Sequence, residues 1–174
     1  MTGLKRTVRT GSRMSLRADS MLSTALLSEL ASPGGDLWLI SGWITDVEVL
    51  DNSQGAFDSI LGEDPPSACR LSNILALLAR AGTSIHIVTR PDAHNKIFIE
   101  RLRAGVQDDG RLHIILDPKV HEKTLCGREW ILSGSMNFTV SGLGDNEESV
   151  TYQVDQSEVA QAHLDFFEKW GVNT

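Results

Sequence analysis

The stretch Asp36-Leu37-Trp38-Leu39-Ile40-Ser41-Gly42-Trp43-Ile44 is apolar almost without interruption. It is far shorter than the roughly 18 apolar residues a bilayer span requires. A strand with one wet face would alternate polar and apolar residues. An unbroken run instead predicts a strand covered on both faces. Such a strand needs other layers above and below it.

The remaining periodicities supply those layers. Residues 16–31 place Leu22, Leu26 and Leu30 on one helical stripe, and Ser32-Pro33-Gly34-Gly35 ends it. Residues 46–66 read as a long connection, the kind that is often functional in a compact domain. Asp64-Pro65-Pro66 predicts a helix start, with Asp64 as cap and Pro65 at the first helical position. Leu71, Ile74, Leu75 and Leu78 then follow helical spacing up to Ala81-Gly82. Strands are expected at 84–88 and 111–116, with a helix at 93–104 turning Ile97, Phe98 and Leu102 inward. Further strands are expected through His121 and Lys123, at 130–132 and at 149–154. Asp155 with Glu158 opens a last helix, whose stripe is Val159, His163, Phe166, Phe167 and Trp170. Helices alternating with strands indicate one layered α/β domain.

Composition narrows the class. At 174 residues, with 41% hydrophobic and 22% charged side chains, the chain suits one soluble domain with a real core. The two cysteines, Cys69 and Cys126, have no partner at metal-ligand spacing. Reduced thiols and a cytoplasmic location are expected, with no metal, no cofactor and no membrane association. The net charge of -7 argues against sequence-blind coating of DNA, though not against local phosphate binding. Lys5, Arg6, Arg9, Arg13 and Arg17 precede any acidic residue, yet no apolar h-region of a secretory signal follows. Residues 1–15 are therefore expected to form a basic flexible arm, a solvated tail or a phosphate-contacting segment, before a domain at 16–174.

The chemistry concentrates between His121 and Glu148. An imidazole and an ammonium, His121 and Lys123, stand two residues apart, and on one strand both would face one point. Ser135 and Asn137 repeat that spacing after the apolar run Trp130-Ile131-Leu132. Glu148 stands just before the next strand. A nucleophilic ring, a cation, small polar donors and an orienting carboxylate together suit cleavage of a phosphodiester. Singly, each residue has a plainer reading: a surface histidine, solvated charges, an ordinary turn.

These residues resemble the signature of the phospholipase D superfamily, H-x-K-x4-D followed by G-S-x-N. Here it runs His121-x-Lys123, then Gly134-Ser135-x-Asn137 with Phe138 and Thr139. One position departs: the family aspartate falls on Arg128, beside Glu129. The resemblance implies a mixed β-sheet flanked by helices on both faces. It also implies a homodimer, because the reaction uses two histidines and this chain has one such motif. In that scheme His121 is the nucleophile, and Lys123, Ser135 and Asn137 hold the phosphate. Glu148 accepts a hydrogen bond from the ring and fixes its tautomer. Ser41 and Arg90, at the ends of expected strands, are further phosphate-binding candidates, and Trp43 is expected either to line the cleft with Ser41 or, in the preferred reading, to pack in the core. Small single-motif members are chiefly nucleases, which implies DNA as partner. Ser41-Gly42-Trp43-Ile44-Thr45-Asp46 and Val88-Thr89-Arg90-Pro91-Asp92 also look similar to stretches of phospholipase D-like proteins encoded beside 7-deazapurine DNA-modification genes. Partners within a DNA-modification or restriction defence complex are implied by that likeness. A lipid or small-molecule phosphodiesterase, and a non-catalytic nucleic-acid-binding subunit, are the alternatives.

Overall fold

Strand β2 (Asp36–Ile40) lies inside a seven-stranded sheet. Its Leu37 and Leu39 enter one core and its Trp38 and Ile40 another, and all four are fully buried. Both faces are covered, which is why the run carries no alternation. The computed structural model describes residues 3–9, 18–106, 110–135, 137–139 and 149–171.

The strands are β1 (Leu4–Arg9), β2, β5 (Ser84–Thr89), β6 (Leu112–Leu116), β7 (Thr124–Cys126), β8 (Ile131–Gly134) and β9 (Ser149–Val154). Their order across the sheet is β1-β9-β8-β7-β2-β5-β6. β2, β5 and β6 run parallel, and every other neighbouring pair is antiparallel. Parallel neighbours need crossovers, and helices supply them. β3 (Glu48–Asp51) and β4 (Ala68–Arg70) form a separate antiparallel pair.

Helices α1 (Ala18–Ala31), α3 (Leu71–Arg80) and α4 (Lys96–Val106) cover one face. Leu22 and Leu26, Ile74 and Leu75, and Phe98 and Leu102 meet Leu37, Leu39, Ile87 and Leu125 there. Helix α5 (Gln156–Trp170) covers the other face, setting Val159, Phe166 and Trp170 against Trp38, Ile40, Val88 and Cys126. A mixed sheet with helices on both faces, in one α/β domain, is what the resemblance implies. Among the described residues no helix is long and apolar enough to cross a membrane.

Several local expectations are corrected. Residues 46–66 are not a structureless connection, since they contain β3 and the short helix α2 (Asp58–Leu61). Helix α3 starts at Leu71 rather than at Asp64-Pro65, and Asp64 has φ 55. The carboxylate at its N-terminus comes from outside the local sequence: Asp46 Oδ1 accepts the Ser72 amide at 2.9 Å. Part of the expected flexible arm is a sheet strand, because Leu4–Arg9 pairs along β9 from Leu4↔Val154 to Arg9↔Ser149. Ile97 faces outward, 60% exposed, while Phe98 and Leu102 carry the α4 core contacts. The Asp155 cap is present as expected, its carboxylate accepting the Ser157 and Glu158 amides.

Candidate active site

The sheet register gathers the candidate residues at one end. Ile40 of β2 lies beside Val88 of β5 and opposite Thr124 of β7. Thr124 lies opposite Ser133 of β8, and Gly134 opposite Val150 of β9. The exits of β2, β5 and β8 and the entrances to β7 and β9 therefore share that end. Ser41, Arg90, Lys123 and Ser135 are the chain positions just beyond it.

His121 and Lys123 are not on a strand, because β7 begins only at Thr124. They sit in an irregular entry segment fixed from several sides. The Asp117 amide donates to Thr89 O at 2.9 Å, and the Val120 amide to Asp117 O at 3.3 Å. Trp170 of α5 donates its indole N–H to Asp117 Oδ2 at 3.0 Å, and Val120 is buried in the second core. The Trp170 bond, with the Lys119 amide, holds the Asp117 carboxyl below the usual carboxylate range. The entry segment is thus clamped between β5 and α5, leaving His121 exposed and Lys123 half-buried. Lys123 Nζ reaches back to His121 O at 2.8 Å.

Arg90 provides the most detailed geometry. Its Nε donates to Val120 O at 3.0 Å, and its guanidinium lies over the Trp43 ring, 4.5 Å from the centroid. Its Nη2 stands 2.8 Å from His121 Nδ1. Arg90 thus meets the imidazole directly, a contact with no sequence signal. Trp43 is half-buried and serves as this platform rather than as core packing, and its Nε1 reaches Asp92 Oδ2 at 3.4 Å. The His94 amide first, then this indole, hold the Asp92 carboxyl below its ordinary range. Gly42 leaves space for the arrangement, since a Cβ there would meet Arg90 Nε at 3.2 Å.

Ser41 differs from its expected role. It is fully buried, and its hydroxyl lies 2.9 Å from Trp43 O and 3.3 Å from Asn137 Oδ1. The Phe138 amide also approaches Ser41 Oγ at 3.4 Å. A hydroxyl so enclosed ties the β2 exit to the segment carrying Asn137, and a phosphate cannot reach it. The isolated parallel bridge Ile44↔Phe138 ties the same two segments again. Ser135 is exposed, its amide donating to Ser149 O at 3.1 Å and its Oγ accepting the Ser149 amide at 3.1 Å. Gly134 is needed at this point, because a Cβ would collide with the Ser149 carbonyl. Glu148 lies outside the described residues.

Sequence reasoning missed Asn95. It is fully buried between the β2 and β5 exits, and its Oδ1 accepts the Ile44 amide at 2.8 Å. Its Nδ2 lies 3.0 Å from Gly42 O, 2.9 Å from Thr89 Oγ1 and 3.0 Å from Arg90 O. It therefore holds the backbone beneath both Trp43 and Arg90. An asparagine after Asp-Ala-His at a helix start looks like surface capping, so nothing local marks it.

Arg128, where the signature that the sequence resembles has an aspartate, lies at the far end of β7. Its amide donates to the buried Glu29 carboxylate at 2.7 Å, and its Nη2 to Ser32 Oγ at 2.8 Å. It fastens the end of α1 and does not approach His121. Neither thiol is a nucleophile: both cysteines are free and buried, and burial pushes Cys126 up to about 12. Among the described residues, no group of three or more His, Cys, Asp and Glu side chains could hold a metal ion.

No protein-family model and no curated protein matches this chain. Solved structures do. NucT from Helicobacter pylori is 12% identical, with a TM-score of 0.59 over 96% of this chain and 95% of that one. Nuc from Salmonella typhimurium, a phospholipase D family member, is 13% identical, with a TM-score of 0.58 over 95% and 93%. TrmBL2, an archaeal chromatin protein with a novel mode of DNA binding, is 13% identical, with a TM-score of 0.56 over 96% of this chain and 52% of that one. The likeness runs nearly the full length of both NucT and Nuc, and at these identities it is a likeness of fold.

Proposed function

We propose that this chain, built on the phospholipase D fold, is a phosphodiesterase that cleaves DNA as an endonuclease without a metal ion. The observation carrying this reading is the gathering of His121, Lys123, Arg90 and Asn137 at one end of that sheet. Two protomers would meet with their His121 rings on one phosphorus. One ring attacks, forming a P–N bond as the P–O bond to the leaving group breaks. The partner's ring, protonated, gives its proton to the departing oxygen. Water then attacks phosphorus, loses a proton to that second ring, and releases the first. Lys123 and Arg90 balance the added negative charge of the five-coordinate transition state, and Asn137 donates to a phosphoryl oxygen. Glu148 would support the imidazolium. A place in a DNA-modification or restriction system fits the sequence resemblance.

The TrmBL2 likeness favours one other reading, a DNA-binding subunit without catalysis. One experiment separates the two. Wild type, His121→Ala and mixed dimers of both are assayed on labelled DNA in excess EDTA, with oligomeric state and thermal stability measured in parallel. We expect a dimeric wild type that cleaves in EDTA, and a folded His121→Ala and mixed dimer slowed by at least about 10³-fold. Wild-type cleavage by folded His121→Ala would sink the mechanism. DNA binding without cleavage would favour the TrmBL2-like reading.

A further inference from the structure

The contact between Arg90 and His121 fixes more than position. A guanidinium has donors and no acceptor, and it does not lose its proton in proteins. In the 2.8 Å pair between Arg90 Nη2 and His121 Nδ1, the arginine must donate and Nδ1 must accept. Nδ1 therefore carries no proton, and in the neutral ring the single proton sits on Nε2. A nucleophilic nitrogen needs a bare lone pair. At Nδ1 the lone pair is covered by the guanidinium, and at Nε2 it is occupied by hydrogen. In this arrangement neither nitrogen of His121 can attack phosphorus.

We propose that Arg90 is a phosphate-responsive positioning residue, which holds His121 in an inactive tautomer until a substrate phosphate draws the guanidinium away. This inference rests on the phosphodiesterase reading above. The neutral Nδ1 is the weaker acceptor, because a phosphate oxygen carries charge and charge-assisted bonds are roughly twice as strong as neutral ones. Arg90 is built to turn rather than to leave. The guanidinium is planar and rigid and moves as one unit, so a pivot in its own plane about Nε keeps the bond to Val120 O and the stack on Trp43 while Nη2 swings off Nδ1. Once Nδ1 is released, the ring re-equilibrates: Nε2 gives one proton to water and Nδ1 takes one from water. The ring is neutral before and after, and Nε2 then offers its lone pair. A phosphate in the site thereby arms the group that attacks it, and an empty site holds no exposed nucleophile.

The test reads the tautomer directly. Histidine is labelled with ¹⁵N, and two-bond ¹H–¹⁵N correlations of His121 are recorded near pH ~8, where an ordinary histidine is neutral. Inorganic phosphate is titrated into wild type, Arg90→Gln and Arg90→Lys. We expect wild type to show the Nε2–H form alone, moving towards Nδ1–H as phosphate saturates. Arg90→Gln should start as a mixture and respond several-fold less, and Arg90→Lys should restore part of the response. Trp43→Leu, which removes the platform, should loosen the starting tautomer if Arg90→Gln fails to fold. A wild-type ring that begins as Nδ1–H, or that ignores phosphate, overturns the proposal. DNA cleavage with no tautomer change sinks the Arg90 coupling alone. A tautomer switch in a chain that cleaves no phosphodiester keeps the coupling and sinks the enzymatic reading.

Discussion

At Asn95, one side chain carries the geometry of a surface it never reaches. Its amide serves Ile44 N, Gly42 O, Thr89 Oγ1 and Arg90 O, all beneath the Arg90–Trp43 stack. An alanine there would strand a buried donor and several acceptors. Each unsatisfied buried group costs about 1–3 kcal/mol, and partial relaxation should bring Asn95→Ala to a loss of about 3 kcal/mol. Asn95→Asp should also lose stability, because a carboxylate keeps the Ile44 bond but cannot donate to three oxygens. Denaturant unfolding of both variants checks this. Wild-type midpoints would mean that the amide is not the fastener of the two strand exits.

At the scale of elements, helix α3 shows how a distant side chain can set a boundary. Asp46 is buried, accepting the Ser72 amide at 2.9 Å and the Ser72 hydroxyl at 3.0 Å. Arg101 of α4 pairs with the same carboxylate at 3.0 Å, so one aspartate joins the start of α3 to the flank of α4. Removing it leaves a helix-start amide and a half-exposed cation without that acceptor. We expect Asp46→Ala to lose about 2–4 kcal/mol by chemical denaturation, and Asp46→Asn to lose less, since its carbonyl can still accept from Ser72. Arg101→Ala should cost under about 1 kcal/mol, because that partner is half-exposed and water replaces much of the pair. A larger loss in Arg101→Ala than in Asp46→Ala would reverse this assignment.

For the whole molecule, the two cores respond differently to acid. Under α5, the His86 ring stacks on Trp38 with centroids 4.2 Å apart, with His113 on its other side at 4.8 Å. Phe167 closes on it edge-on, His163 adds a nearby charge when protonated, and Asp36 Oδ1 accepts from Nε2 at 2.8 Å. Burial lowers the His86 pKa from 6.5, outweighing the pull of Asp36 the other way. As pH falls, the unfolded chain therefore binds this proton before the folded one. The stability linked to His86 is complete above about 6.5 and is lost as pH falls through the depressed folded value. Glu29 opposes it: burial raises its pKa from 4.5, so its share is present below 4.5 and lost as pH rises through the higher folded value. Melts between pH 7 and pH 5 should show wild type losing more stability than His86→Phe, which keeps a ring against Trp38. Parallel losses would place the acid sensitivity elsewhere.

The layered α/β fold was legible because its signals are local. A short apolar run without alternation, entered from Pro33-Gly34-Gly35, reads as a strand covered on both faces, and the helical stripes of α1, α3 and α5 say what covers it. His121, Lys123, Ser135 and Asn137 were legible as a group because their spacing is covalent. What the tertiary structure decided is everything set by pairing between segments distant in sequence. The mixed sheet order draws the exits of β2, β5 and β8 to one end, and no periodicity encodes which strands become neighbours. It buries Ser41, turns Trp43 into a platform, makes Asn95 a hidden fastener and brings Arg90 onto His121 across a sequence separation of 31 residues. It recruits Leu4–Arg9 into the sheet, although Lys5, Arg6, Thr7 and Arg9 are polar and Leu4 is exposed, because a free edge of β9 accepts any backbone that can pair. Composition states what a segment can bury, and only the fold states which distant groups meet.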